Sequence, residues 1–421
     1  MLFRGYKQGV GSYFLKTKLK GENFLKEKNI SSIVSIVKAM FSILAKDPRK
    51  KLNGVSNLFC HYPNLMSFRY IRKTIFGWAN RDEEVAEIEL SNSIILKDYV
   101  SPREKGIILI SFERELGKLC NKRVLEEIED RYHVIFLPSW TGLFSPEILC
   151  FASMAKQTWF VMPVHKKEHK YCQYLGGFCV PLEYNAASWV NDELFSPTDV
   201  ERDIDCLIVA NFASFKRHWI LFDAISNIQE NLTVYCVGVS WGGRTKTEIE
   251  AEAELFGVLD RVEVVESPTQ EILREYYRRA KIFCALSYRE GSFIAVAEAL
   301  ISGTPVVMFE NSHIGTRSLL NPDNSFIVRS VTELSEAIKR RGQFDNHAIR
   351  QAAVQENSAK VNSKRLNKDL RKHILAKESQ EWTRDISSFY SVRLSFMYAD
   401  VSKCYDSSSR YLEFDNFLLK I

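Results

Sequence analysis

The segment that decides the fold is KIFCALSYREGSFIAVAEALISGTPVVMFE, residues 281–310. Its short apolar run, 282–286, is typical of a buried parallel strand, and a polar segment with one glycine follows it. Apolar residues then recur at helical spacing over 293–301, and Gly303 stands where helices often end in a left-handed residue. Because a second apolar run begins at Pro305, we predict a β-α-β unit with a right-handed crossover in a parallel sheet.

The turn between this strand and this helix is suited to binding an anion. Ligands of open α/β sheets bind at the carboxyl ends of the strands. The backbone N–H groups of Gly291, Ser292 and Phe293 begin the predicted helix, where no earlier turn supplies carbonyl acceptors. The helix dipole adds about half a positive charge at this end, so the turn predicts a phosphate site.

Two glutamates, Glu290 and Glu298, flank this turn with seven residues between them. A carboxylate is a poor phosphate ligand, but it accepts two hydrogen bonds from paired sugar hydroxyls. A diphosphate with a sugar at one end and a ribose at the other would satisfy both features. The alternative interpretation is a buried β-α-β unit with two solvated glutamates.

The same residues resemble the signature of glycosyltransferase family 4. The resemblance implies a GT-B fold, in which two Rossmann-like, doubly wound parallel-sheet domains face each other across a cleft and a C-terminal helix closes the molecule. It also implies retaining transfer from a nucleotide sugar. In that scheme Glu290 contacts the transferred sugar, the following amides hold the diphosphate and Glu298 holds the ribose. The motif is Glu290-Gly291-Ser292-Phe293, Glu298-Ala299-Leu300 and Ser302-Gly303-Thr304-Pro305-Val306-Val307.

Composition and charge restrict the class of protein. The chain has 421 residues, of which 46% are hydrophobic and 12% aromatic, typical of a well-cored protein with two or three domains. Its net charge of +5 is weak for this length and argues against a nucleic-acid partner. The nine cysteines form no C-x-x-C pair, which predicts neither a zinc site nor a disulfide framework and fits a reducing cytosol. We expect no signal peptide, and no run approaches the ~18 apolar residues of a spanning helix.

The amino-terminal domain is predicted over 1–190, with a divergent basic segment at 1–100. Residues 30–44 carry a broad apolar face, which fits either a docked core helix or a helix at an anionic membrane surface. From residue 106 onward strands and helices alternate, so the strand ends should gather along one edge of a parallel sheet. We therefore expect acceptor-binding residues at this edge, although a surface helix start would also explain the glutamate. These candidates are Glu113, Arg114 and Trp140.

A histidine at a predicted strand end, His165, has two interpretations. The resemblance implies that it lies across the cleft from the glutamate motif and touches the transferred sugar. The alternative is a solvated loop histidine, since four polar residues follow it directly.

The donor domain is predicted over 191–375, beginning with a segment that resembles the hinge of the family. After its first strand the resemblance implies an arginine and a lysine that clamp the diphosphate. Lys216 occupies the lysine position, whereas Asn211 replaces the arginine, so Arg217 is the candidate for the missing charge. A fixed cation suits a diphosphate in a metal-free site, and a solvated lysine at a helix start is the alternative. The remaining donor-site candidates follow the next two strands and are Gly238 and Ser267.

The last predicted segment is 376–421, in which 381–390 resemble the closing helix that crosses back to the first domain. The sequence thus predicts a metal-independent, cofactor-free, retaining glycosyltransferase of the hexosyltransferase type, with Glu290, His165 and Lys216 as catalytic residues. Its expected partners are a nucleotide-sugar donor and a glycan or lipid-linked glycan acceptor of polysaccharide biosynthesis. The donor expected first is a UDP-sugar.

The expected location is cytoplasmic. Whether the basic amino-terminal segment also contacts the inner face of the membrane is left open. The alternative function is a catalytically inactive nucleotide-sugar-binding protein of the same fold, because Asn211 departs from the family pattern.

Overall fold

A computed structural model describes residues 93–387, except 120–121, 140–142, 144, 176, 197–199 and 377–378. The basic segment before residue 93, including the apolar stretch 30–44, lies outside the described residues, as do Trp140 and the chain after residue 387.

The first domain is a five-stranded sheet with the strand order β1-β2-β3-β4-β5. Strands β2 to β5 are parallel, and each central strand is an apolar run buried along its length, as expected when both faces of a sheet are covered. The edge strand β1 is antiparallel to β2 and was not predicted from the sequence. The strands are β1 (Ser93–Lys97), β2 (Gly106–Ser111), β3 (Tyr132–Leu137), β4 (Trp159–Val161) and β5 (Cys179–Pro181).

Helices connect the strands of this sheet as the alternating pattern predicted. They are α1 (Glu113–Lys118), α2 (Lys122–Arg131) and α3 (Pro146–Met154), and a 3-10 helix, Lys166–Leu175, precedes β5.

The second domain is a six-stranded, wholly parallel sheet with the order β11-β10-β9-β6-β7-β8. The chain first builds outward from β6 to β8 and then returns to the other side of β6 with β9. The strand order therefore reverses between β6 and β9, which is the topological switch point of the sheet. The strands are β6 (Cys206–Val209), β7 (Val234–Gly238), β8 (Val262–Glu266), β9 (Phe283–Ala285), β10 (Val306–Phe309) and β11 (Ser325–Val328).

Two apolar clusters of this domain meet at the sheet, one around Ile208, Phe222 and Leu334 and the other around Phe283, Val296 and Met308. The helices that contribute to these clusters are α4 (His218–Ser226), α5 (Lys246–Leu255), α6 (Gln270–Arg279), α7 (Ile294–Ile301), α8 (Val331–Lys339) and α9 (Asn346–Asn357).

The chain returns to the first domain through α10 (Ala359–Leu375). The sequence of this region is polar and basic, yet one face of α10 is buried in the core of the first sheet through Leu366, Leu370 and Ile374. Trp382 and Ile386 extend the same core.

The closing helix expected at 381–390 is not formed over 381–387. The reason is that the backbone N–H groups of this segment bond to the first domain instead of to each other. The buried carboxylate of Glu104 accepts hydrogen bonds from the N–H groups of Thr383 at 2.7 Å and Arg384 at 3.1 Å. Ser387 donates to the carbonyl of Leu96 at 2.7 Å. The helix that crosses back is therefore α10.

Within the described ranges, no helix is both long and apolar enough to cross a membrane.

Candidate active site

The switch point of the second sheet brings together two loops that the sequence singled out separately. The loop after β6 carries Asn211, Lys216 and Arg217, and the loop after β9 carries Glu290 and the residues that begin α7. Because β6 and β9 are hydrogen-bonded neighbours, their carboxyl ends lie side by side. The crevice at such a point is where open α/β sheets bind ligands.

Lys216 and Glu290 form an ion pair at this point, with 2.5 Å between Lys216 Nζ and Glu290 Oε1. The two side chains are only 9% and 13% exposed. The hydroxyl of Ser287 donates to the same carboxylate oxygen at 2.7 Å and fixes its orientation. A largely buried, oriented ion pair at a sheet edge provides a cation for phosphate and an acceptor for sugar hydroxyls in one place.

The turn that begins α7 has the geometry of an anion site. Phe293, which we expected inside the helix, precedes it in the left-handed region with φ 47°, and α7 starts at Ile294. The backbone N–H groups of Gly291, Ser292 and Phe293 donate to no other group among the described residues. Three unused donors at a helix start, beside Lys216, are suited to binding an anionic group, and we refer to this turn as the phosphate cradle.

The ring of Phe293 helps to place the lysine. Lys216 Nζ lies 4.4 Å from the centroid of this ring, and Phe293 itself is buried. A non-glycine residue at positive φ is strained, and such strain is often found at functional sites. The strain here keeps an aromatic face against the ammonium group, a favourable cation–π contact.

Glu298 lies on α7 and is buried, 6% exposed. Its Oε2 accepts a hydrogen bond from the hydroxyl of Tyr277 at 2.8 Å. Burial, together with the Glu298 charge, raises the pKa of Tyr277 well above its usual value, so the tyrosine remains a donor. Tyr277 thus orients the carboxylate to which the resemblance assigns the ribose, and that assignment stays a prediction.

Asn211 and Arg217 lie near the two ends of the loop that follows β6. Asn211 Oδ1 accepts a hydrogen bond from the N–H of Ala213 at 3.4 Å, so this side chain stabilises the turn. Arg217 adopts a left-handed conformation with φ 62°, and its guanidinium carbon lies 5.5 Å from the Phe309 ring. Burial lowers the pKa of Arg217.

Gly238 and Ser267 lie at the ends of β7 and β8. A Cβ atom at Gly238 would lie 1.9 Å from the carbonyl oxygen of Ala210, so only glycine fits beside the β6 exit. Ser267 is an exposed residue with φ 54°, and its N–H donates to the carbonyl of Gly238 at 2.7 Å. These two positions form the part of the crevice rim next to the β6 loop.

His165 follows the point at which the two domains touch. The carbonyl oxygen of Val164 lies 2.6 Å from where a Cβ atom of Gly315 would be. Gly315 in turn donates its N–H to the carbonyl of Gly291 at 2.8 Å. The segment that carries His165 therefore lies next to the Gly291 turn, while the role of His165 at a sugar stays a prediction.

The acceptor-side candidates lie at the corresponding edge of the first sheet. Glu113 begins α1 and is buried, and its Oε1 accepts a hydrogen bond from the N–H of Ser139 at 2.8 Å. This bond ties the exit of β2 to the exit of β3. Arg114 is the next residue of α1, and Trp140 lies outside the described residues.

Comparison with known proteins identifies the region that holds the ion pair. Residues 203–341 match the glycosyl transferases group 1 family model. This group 1 region runs from before β6 to the end of α8, so it includes Lys216, Glu290 and Glu298.

A curated protein is similar in sequence to part of the chain. The D-inositol 3-phosphate glycosyltransferase of Xylanimonas cellulosilytica is 30% identical over 129 residues, which are 30% of this chain and 30% of that protein. The chain thus matches less than a third of the length of this relative.

Solved structures extend the comparison to both domains. Sucrose-phosphate synthase from Thermosynechococcus elongatus superposes with a TM-score of 0.51 at 17% identity, over 64% of this chain and 74% of that chain. HepE from Anabaena in complex with UDP superposes with a TM-score of 0.51 at 15% identity, over 63% of this chain and 78% of that chain. These likenesses confirm the predicted fold, GT-B, with the group 1 region as its second domain.

Sequence reasoning missed two charged residues that interact electrostatically, Glu168 in the first domain and Arg289 in the second. Burial raises the pKa of Glu168, while hydrogen bonds from the N–H groups of His165 and Val164 and the charge of Arg289 oppose this shift. The nearby Glu113 carboxylate raises it further. The polar run after His165 looked like a solvated loop, and periodicity carries no signal that its glutamate is partly buried.

His218 was also missed, since a helix start gives no hint of burial. It lies at the start of α4 in the group 1 region, 1% exposed, and neither ring nitrogen has a hydrogen-bond partner among the described residues. Burial, together with the charges of Arg244 and Lys216, lowers its pKa to about 3. The imidazole is therefore neutral and packs in the protein interior directly after the β6 loop.

Proposed function

We propose that this protein is a retaining glycosyltransferase that moves a sugar from a nucleotide-diphosphate sugar to a hydroxyl group. The observation that carries the proposal is the Lys216–Glu290 ion pair beside the unused N–H groups of Gly291, Ser292 and Phe293. A cation and amide donors suit a diphosphate, and a carboxylate suits the sugar joined to it. These groups converge at the switch point inside the group 1 region.

The donor we favour is a UDP-sugar. The support comes from the named relatives, since one curated protein is a glycosyltransferase and HepE from Anabaena was solved with UDP and also with UDP and glucose. Glu298, oriented by Tyr277, is the proposed ribose ligand, and Ser267 lies at the rim where the base would reach.

The proposed chemistry relies on fixed positive charge. The bond between the anomeric carbon and the diphosphate breaks, the acceptor oxygen bonds to that carbon on the same face, and the acceptor proton passes to the leaving phosphate. Lys216 and the amides of the α7 start stabilise the charge that develops on the diphosphate. Because these groups can supply that charge, we propose that transfer proceeds without a metal ion.

The acceptor is proposed to be a glycan or a lipid-linked glycan that enters along the first-domain edge. Glu113, His165 and Glu168 supply hydrogen-bonding groups there, and Arg289 faces them from the second domain. The amino-terminal sequence is rich in lysine, which supports contact with an anionic surface such as the inner face of a membrane.

A second candidate function is a nucleotide-sugar-binding protein without transfer activity. The observation that favours it is Asn211, whose side chain bonds within its own loop instead of adding a second cation to the diphosphate site. A weaker diphosphate clamp would bind a donor but stabilise a leaving group less.

A ligand screen followed by a transfer assay tests the proposal. The thermal midpoint should rise with a UDP-sugar, because a ligand that binds only the folded state stabilises it by RT ln(1 + [L]/Kd). GDP- and ADP-sugars serve as matched comparisons, and calorimetry then gives the affinity. Release of UDP that depends on an added hydroxyl acceptor, with retained anomeric configuration in the product, is the expected result.

Two other outcomes decide against the proposal. Donor binding without release of nucleotide under any acceptor would favour the binding protein. Absence of any shift with all three nucleotide classes would contradict both candidates.

A further inference from the structure

The hinge between the two domains is a 3-10 turn whose residues belong to different cores. This turn is Ala186–Ser188, and Asn185 caps it by accepting the N–H of Ala187 at 2.9 Å. Ala187 and Val190 are buried in the core of the second domain, whereas Trp189 is buried in the core of the first. Rotation of one domain against the other must therefore pass through these residues.

The second crossing of the chain is bonded to the same place. The N–H of Val190 donates to the carbonyl of Asn357 at 3.0 Å, and the N–H of Ala359 donates to the carbonyl of Val190 at 2.9 Å. Asn362 adds a hydrogen bond from its side chain to the carbonyl of Ser188 at 2.8 Å. The hinge is thus a bonded unit of two chain segments and not a loose linker.

One hydrogen bond joins this hinge to the phosphate cradle. The hydroxyl oxygen of Ser292 accepts from the N–H of Ala186 at 3.2 Å, and Ser292 is buried. The backbone N–H of the same residue is one of the three unused donors at the α7 start. A single residue therefore faces the proposed diphosphate with its backbone and the hinge with its side chain.

We propose that Ser292 is a positioning residue whose hydroxyl couples the hinge to the phosphate cradle. The seating of a diphosphate and the rotation of the two domains then occur together. The inference rests on the proposed function, because it requires a nucleotide at the cradle. Its physical basis is that the direction of the amide donors depends on the anchor of the turn, and such donors stabilise charge only in a narrow geometry.

Two substitutions remove this bond from opposite sides. Ser292→Ala removes the acceptor and leaves the backbone N–H in place. Ala186→Pro removes the donor without altering the cradle. Proline is tolerated at the first position of a helical turn when the preceding residue is extended, and Asn185 is extended, with φ −143° and ψ −174°. Ser292→Thr keeps the hydroxyl and serves as the conservative variant.

The test measures nucleotide affinity, transfer kinetics and domain closure on the full chain. We expect Ser292→Ala and Ala186→Pro each to lower kcat about 3- to 10-fold, the range set by one neutral hydrogen bond, while the Kd for UDP changes less than about threefold. X-ray scattering measures the decrease in the radius of gyration when UDP is added. This decrease should be smaller in both variants than in the wild type. The double variant should be no worse than either single variant, since both remove the same bond.

Controls separate this inference from the proposed function. Ser226→Ala, whose hydroxyl bonds to the carbonyl of Asp223 within α4, should behave as wild type, and Ser292→Thr should retain coupling. Additive losses in the double variant, or full contraction in Ser292→Ala, would overturn the inference alone. Wild-type protein that binds UDP without contracting would also overturn it alone, whereas failure to bind UDP, GDP or ADP would overturn both.

Discussion

Lys216 Nζ lies 2.5 Å from Glu290 Oε1, although the two residues follow different strands of the sheet. The pair exists because β6 and β9 are neighbours at the point where the strand order reverses. Each charge offsets the cost of burying the other, and the Ser287 hydroxyl holds the carboxylate in place. A phosphate group that approaches Lys216 must therefore either displace Glu290 from the ammonium group or bind the ammonium group together with it.

Lys216→Ala and Glu290→Ala should each abolish transfer while the protein stays folded. The expected loss in kcat is at least about 100-fold, the range for removing one electrostatic stabiliser of a transition state. Transfer assays and circular dichroism measure the two quantities. Lys339→Ala, which removes an exposed lysine paired with Glu336, is the matched control and should keep wild-type rates. Near-normal turnover in both site variants would remove the assignment.

Phe293→Leu should weaken nucleotide binding about 3- to 10-fold, because the ring that lies 4.4 Å from Lys216 Nζ is lost. The lysine then samples more positions, and ordering it on binding costs additional free energy. Calorimetric titration with UDP measures the effect. Phe326→Leu provides a control, since that ring lies 5.1 Å from the guanidinium of Arg340 and belongs to β11, an edge strand of the sheet. Equal affinities in both variants would show that the ring does not position the lysine.

Acidification should destabilise the protein through His218. Its pKa is lowered to about 3 in the folded state, against about 6.5 in the unfolded chain, so the unfolded state binds more protons between these values. The stability contributed by the neutral ring is complete above pH 6.5 and is lost as the pH falls from there toward 3. By pH 5 the loss in unfolding free energy should reach about 2 kcal/mol.

His218→Leu should reduce this pH dependence, because the buried ring nitrogens have no hydrogen bond among the described residues for leucine to disrupt. Urea unfolding at pH 7 and pH 5 compares the two proteins. The exposed His347, replaced by alanine, should leave the wild-type difference unchanged. An identical pH dependence in His218→Leu and wild type would contradict the assignment.

Gly315→Ala should lower transfer about tenfold or more by separating the domains. A Cβ atom there would lie 2.6 Å from the carbonyl oxygen of Val164 and 3.1 Å from that of Gly291, and both are backbone atoms that cannot rotate away. Gly342→Ala is the matched control, since no heavy atom lies within 4 Å of a Cβ atom at that position. Kinetics and X-ray scattering measure the outcome, and wild-type kcat in Gly315→Ala would show that this contact is not needed for transfer.

The sequence by itself determined the β-α-β unit around Glu290, the parallel core strands of both sheets and the place of Lys216 in the turn after the first strand of the second domain. These features follow from local patterns, because an apolar run, a polar turn and a helical repeat are visible within a few residues. The same local evidence missed β1, because the segment before residue 106 shows no clear period. The resemblance implied a helix at 381–390, but over 381–387 the backbone bonds to the first domain, including Glu104, instead.

Only the tertiary structure decided which side chains meet. The Lys216–Glu290 pair depends on strand order, and the Ser292–Ala186 bond depends on how the two domains fold against the hinge. The partial burial of Glu168 and the full burial of His218 depend on packing that local patterns do not show. Periodicity assigns a residue to an element and a face. It contains no information on which loop of another strand that residue will contact, because such contacts arise from packing across the whole chain.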